Sequence, residues 1–116
     1  MTHTCHARGC ERPVRPTLLM CFLHWRLVPH AIKQEVYRAY RPGQCGDGRP
    51  SPAWHEAADA AIGYVSMQEH LGLTLVMAKA LVKRGYAPAV IEAQVRKKGE
   101  SAREAITQAV MAMEGA

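Results

Sequence analysis

The sequence predicts a mainly α protein: a small cysteine-bearing amino module, a linking helix and a helical bundle. Three observations predict it. After residue 29, apolar residues recur every three or four positions through most of the chain, the period of a helix with one buried face. Proline, serine and glycine stand where those periodic stretches begin and end. Cys5, Cys10, Cys21 and His24 crowd into a first segment whose turns leave little room for a core of its own. The boundaries that follow are 1–50 for the amino module with its short helices, 51–72 for the linking helix and 73–116 for the bundle.

Residues 1–18 are non-helical, because Gly9, Pro13 and Pro16 interrupt any long helix. From Thr17 the text turns apolar through Leu23, which predicts a two-turn helix. It stops before Pro29, since a residue preceding proline avoids the helical region. A helix over 29–40 follows, with Pro29 in its first turn and Ile32, Val36 and Tyr40 on one face. Residues 42–52 contain three prolines and three glycines and form a loop. Ser51-Pro52 opens the next helix, serine as the cap and proline at the first position. Over 52–70 its stripe is Trp54, Ala57, Ala58, Ala61, Ile62 and Val65, and Leu71-Gly72 breaks it. A helix over 74–84 turns Met77, Ala80 and Leu81 inward, with Lys83 and Arg84 in its last turn and Gly85 as the stop. Pro88 opens a helix to 98 carrying Ile91 and Val95, closed by Gly99. Ser101 and Glu104 form a capping box for the last helix, whose stripe is Ala102, Ala105, Ile106, Ala109, Val110 and Met113.

With 116 residues, a single Phe and two Trp, the chain builds only a modest core, and domains of this size often carry a staple. No run of apolar residues is long enough to span a bilayer, and the start lacks a signal peptide's apolar stretch, so a cytoplasmic protein is expected. There, cysteines serve as metal ligands or free thiols more often than as disulfides. The net charge of +5 lies entirely in residues 1–50, which hold eight Lys/Arg and three acids, whereas 51–116 balance seven against seven. An acidic partner for the amino half follows, either nucleic acid or an acidic protein surface.

The spacing Cys5-x4-Cys10-x10-Cys21-x2-His24 is the strongest chemical signal. Zinc takes four thiolate or imidazole ligands in a tetrahedron. Cys5 and Cys10 flank a glycine turn, and Cys21 and His24, three apart, project from one face of a helical turn. A loop pair with a pair at a helix start is the layout of a treble-clef-like finger. A buried apolar Cys21 and an ordinary helix His24 would leave Cys5 and Cys10 unexplained. His24 is the preferred fourth ligand because it needs no long-range closure; Cys45 is the alternative, and His3 and His6 are also near. Four protein ligands close the site, which makes it structural.

Two resemblances add to this. From residue 74, the text Leu81-Val82-Lys83-Arg84-Gly85-Tyr86, then Ile91 and Val95, then Ser101 leading to Ala105 and Ala109, resembles the ubiquitin-associated (UBA) family of three-helix bundles. That likeness implies a contact patch made by the loop after the bundle's first helix and by its third helix, here Gly85, Tyr86, Gln108 and Met111. Lys83-Arg84 replaces the residues the family usually turns towards ubiquitin. Residues 5–62 look like a group of small phage and prophage proteins. The strings that carry this are Cys10-x-Arg12-Pro13-Val14, Met20-Cys21-x2-His24-Trp25, Tyr40-Arg41-Pro42-Gly43-Gln44 and Ser51-Pro52-Ala53-Trp54. The group implies zinc and a bacterial host cell; it implies no activity.

Enzyme readings are weak. His55-Glu56-Ala57-Ala58-Asp59 approaches a zinc-hydrolase motif but has Asp59 in place of the second histidine. His30 has no partner for nuclease chemistry, and no phosphate-cradling loop or nucleophile elbow exists. Arg96-Lys97-Lys98 suits a solvated helix end. The sequence therefore predicts a non-catalytic zinc protein that binds a host or phage protein as adaptor or inhibitor, without a membrane or a small-molecule substrate. The alternative is a nucleic-acid-binding regulator using Arg8, Arg12, Arg15 and Arg26.

Overall fold

A computed structural model describes residues 3–44, 48–95 and 106–112. Its elements are α1 (Phe22–Trp25), α2 (His30–Ala39), α3 (Pro52–Gln68), α4 (Leu75–Lys83) and α5 (Pro88–Gln94), with a further helical stretch over 106–112. Among the described residues there is no strand, only two isolated bridges, Thr4 with Pro13 and Leu73 with Val95. The mainly helical expectation is met. Among the described residues no helix is long and apolar enough to cross a membrane.

Helix α3 is the spine. Ser51 caps it, its hydroxyl accepting from the Trp54 N–H at 3.1 Å with Pro52 behind it. It packs on α2 and on α4, and α4 packs on α5. Small residues permit that closeness: Ala57, Ala58, Ala60, Ala61 and Gly63 are all buried. A Cβ on Gly63 would stand 2.9 Å from the Met77 Cβ of α4. The stripe is thus wider than its periodicity indicated, while Trp54 and Ile62 are only half-buried.

Helices α3 and α4 end alike. After α3, the His70 N–H reaches the Met67 carbonyl at 3.1 Å and the Leu71 N–H reaches that of Ser66 at 2.9 Å. After α4, Gly85 bonds to Val82 and Tyr86 to Leu81 in the same pattern. Both are Schellman turns, which need a left-handed residue just past the cap. Gly85 supplies it at φ +91, as expected, but in α3 the residue is His70 at φ 57. The break therefore falls two residues earlier than Gly72.

The first helix is shorter than expected. The segment 17–21 stays non-helical because its carbonyls are taken elsewhere: Leu19 accepts the His6 N–H at 2.9 Å and Leu18 accepts from His3 Nε2 at 3.0 Å. Cys21, extended at ψ 163, becomes the cap of a single turn. Gly99, Ser101, Glu104 and the cations 96–98 lie outside the described residues.

The buried apolar residues form one cluster running from Cys5 and Met20 through Ile32, Val65 and Leu81 to Ile91 and Ile106. Arg84, at the end of α4, ties three helices: it bonds to Glu35 of α2 at 2.8 Å and to Glu56 of α3 at 3.3 Å.

Candidate metal centre

Local backbone bonding brings the four expected ligands together. The Cys5 N–H donates to the Arg12 carbonyl and the Val14 N–H to that of His3, each at 2.9 Å. These bonds and the Thr4–Pro13 bridge close a narrow loop. At its tip Gly9 takes φ +79 and the Cys10 N–H returns to the Ala7 carbonyl at 3.0 Å. Cys5 and Cys10 thus face each other across the loop. The His6–Leu19 bond sets this loop against Cys21, and the one turn of α1 carries His24 round to the same side.

The donor atoms of Cys5, Cys10, Cys21 and His24 all lie within 4.8 Å of one another. Nδ1 of His24 is 3.2 Å from the Cys21 sulfur and 3.6 Å from that of Cys5. A tetrahedral ion with bonds of about 2.3 Å to sulfur and about 2.0 Å to nitrogen needs sulfur–nitrogen separations of roughly 3.5 Å. The cluster therefore has the dimensions of a metal site, and Cys5, Cys10 and Cys21 are unbridged. His3 and His6 pair with each other at 5.2 Å between ring centroids, with His3 bound to Leu18 outside the cluster. Cys45 lies outside the described residues.

The thiols are electrostatically unequal. Burial pushes the Cys5 thiol up to about 11, against weaker lowering by backbone hydrogen bonds. At Cys21 burial also opposes ionisation, but hydrogen bonds to the His24 backbone and ring and to the other two thiols outweigh it and bring it down to about 7.

Sequence reasoning missed the group behind the histidine. Nε2 of His24 is 3.0 Å from Oε1 of Glu69, the capping residue of α3. A histidine ligand commonly gives its second N–H to a carboxylate, which fixes the tautomer and leaves the other nitrogen's lone pair for the metal. With a metal on Nδ1 the proton would sit on Nε2, facing Glu69; without one, Nδ1–H donates to the Cys21 sulfur. The Schellman turn at His70 sets Glu69 at this position. A second tie lies beside it: the Arg8 guanidinium donates to the Gly72 carbonyl at 2.9 Å. The ligand cluster is therefore fastened to the segment that ends and follows α3 at two points, by His24 of α1 and by Arg8 of the loop. No signal in the local text marked either contact.

The other candidate residues are more scattered. Arg8 is half-buried and engaged with Gly72, whereas Arg12, Arg15 and Arg26 are exposed. Gly85 is exposed. Tyr86 is half-buried with its ring 5.7 Å from that of Tyr64, and Gln108 and Met111 are exposed on 106–112. Glu56 of the His-Glu-x-x-Asp string is held by Lys83 at 3.5 Å and by Arg84. Compared with protein-family models, curated proteins and solved structures, the chain matches none.

Proposed function

We propose that Cys5, Cys10, Cys21 and His24 hold a structural zinc ion, and that the protein is a non-catalytic, zinc-stapled interaction module. The observation that carries this reading is the His24–Glu69 contact: a Cys3His set with its histidine buttressed by a carboxylate uses every coordination position for protein. Nothing is left open for a substrate or an activated water. The softness of three sulfurs and one imidazole favours zinc over magnesium or calcium, which take oxygen. A treble-clef-like arrangement of the amino module and a UBA-like bundle after residue 73 are the finer form of this reading. Resemblance to small phage and prophage proteins supports a bacterial host cell as its setting, with a host or phage protein as its partner.

Nucleic-acid binding through Arg12, Arg15 and Arg26 is the second reading, supported by the basic amino half. It is weakened by Arg8, whose guanidinium serves the fold. An electrophoretic shift assay at two salt concentrations separates the two, since phosphate binding weakens steeply with salt. The zinc itself is tested by elemental analysis of freshly purified protein: one ion per chain is expected, and metal-free protein would overturn the reading.

A further inference from the structure

Next to the metal centre the surface opens into an apolar groove of about 560 Å³, lying between the stretch 17–25 and α2, with Trp54 of α3 at its edge. Its floor is the buried Met20 and Val36. Its walls are Leu18, Phe22, Trp25 and Tyr37. The chain's single Phe is 80% exposed here and Tyr37 is 57% exposed. Contiguous exposed apolar surface of this kind marks an interaction site. The groove is also preformed: the Trp25 indole N–H donates to the Tyr37 hydroxyl at 3.1 Å, and the Lys33 ammonium stands over the Trp25 ring at 5.7 Å.

Charge identifies the occupant. Residues 12–44 carry six Lys/Arg and one acid, Glu35, and Glu35 is turned away into its pair with Arg84. Arg15, Arg26, Lys33 and Arg38 flank the groove-lining residues in the chain, and among the described residues none of them pairs with a carboxylate. Of these, Lys33 stands directly over a groove wall, the Trp25 ring, and an apolar cleft set in this acid-poor, cationic stretch fits an amphipathic segment whose other face is acidic. Single-stranded nucleic acid fits less well. Base stacking needs open ring faces, and although Phe22 and Tyr37 are exposed, the floor is aliphatic and Trp25 is covered by Lys33 on its face and Tyr37 at its edge.

We infer that this groove binds an acidic amphipathic helix of a partner protein, its apolar side chains between Phe22, Tyr37 and Trp54 and its carboxylates meeting Arg26 and Lys33. The inference rests on the protein-interaction reading above and specifies the partner's chemistry.

Both tryptophans of the chain line the groove, so intrinsic fluorescence reads its occupancy directly. The probe is a tryptophan-free synthetic peptide with Leu and Phe at helical spacing and Glu elsewhere, titrated into the full metal-loaded chain. A saturable blue shift is expected. Phe22→Glu should weaken binding at least about tenfold, as for a central aromatic anchor, and Lys33→Glu several-fold, with zinc content and far-ultraviolet circular dichroism unchanged. A peptide with Lys in place of Glu should bind at least about tenfold more weakly. Equal or tighter binding of the Lys peptide would overturn the acidic partner while leaving the protein-interaction reading intact. Salt-sensitive quenching by an oligothymidylate that competes for the groove would overturn both. No response to either peptide up to millimolar concentration, in protein that retains its zinc, would overturn the groove as a docking site alone.

Discussion

Removing the Glu69 carboxylate should loosen the metal without unfolding the protein. With a metal on Nδ1, His24 would be neutral and its Nε2–H would donate to the Glu69 carboxylate, which lies 3.0 Å from Nε2 in the structure. A hydrogen bond to a charged group is worth about 1.5–3 kcal/mol. The Glu69 side chain is 37% exposed, and water competition places this one near the bottom of that range. About 1.4 kcal/mol corresponds to about tenfold in affinity, at the lower edge of the loss typical for carboxylates behind a metal-bound histidine. Glu69→Ala should therefore weaken zinc binding about tenfold. Glu69→Gln keeps a neutral acceptor at roughly half the strength and should lose about threefold. Competition with a chromogenic zinc chelator at neutral pH measures both, with circular dichroism confirming the fold. Affinities for the alanine variant within about twofold of the parent, or a larger loss for glutamine than for alanine, would refute the role given to Glu69.

Cys10→Ser and Cys21→Ser should each abolish stoichiometric zinc, while Cys45→Ser keeps it, as metal analysis will show. Zinc affinity should fall as pH falls, because each thiol must lose its proton to bind: with Cys5 near 11 and Cys21 near 7 in the metal-free protein, chelator competition across pH should show at least about one log unit per pH unit above neutrality and a steeper slope below it. Gly63→Ala places a Cβ 2.9 Å from the Met77 Cβ, and overpacking of about 1–3 kcal/mol should outweigh the gain of about 1 kcal/mol in helix propensity, lowering the denaturation midpoint. His70→Gly relieves a left-handed non-glycine residue at φ 57 and should raise stability by about 0.5–1 kcal/mol in the same denaturation assay.

What the text made legible was local. The Cys/His quartet could be picked out because its two pairs are each closed by a few residues, one by the Gly9 turn and one by the turn of α1. Ser51-Pro52 and Gly85 announced a helix start and a helix stop through chemistry contained in the residues themselves. Contacts that depend on how helices pack were not legible. Glu69 looks like any polar residue near a helix end until α3 is placed beside α1. His70 gives no glycine-like sign of its left-handed turn. Phe22 belongs to an apolar run that promised burial, yet the run's carbonyls are diverted to His3 and His6. That leaves a single helical turn with its Phe22 side chain in solvent.

The account's central claim is that Cys5, Cys10, Cys21 and His24 hold zinc. X-ray absorption at the zinc edge tests it most directly. The predicted sphere is three sulfurs at about 2.3 Å and one imidazole nitrogen at about 2.0–2.1 Å, and His24→Ala should remove the nitrogen shell. A four-sulfur sphere, a shell of oxygen ligands, or protein without zinc would contradict it.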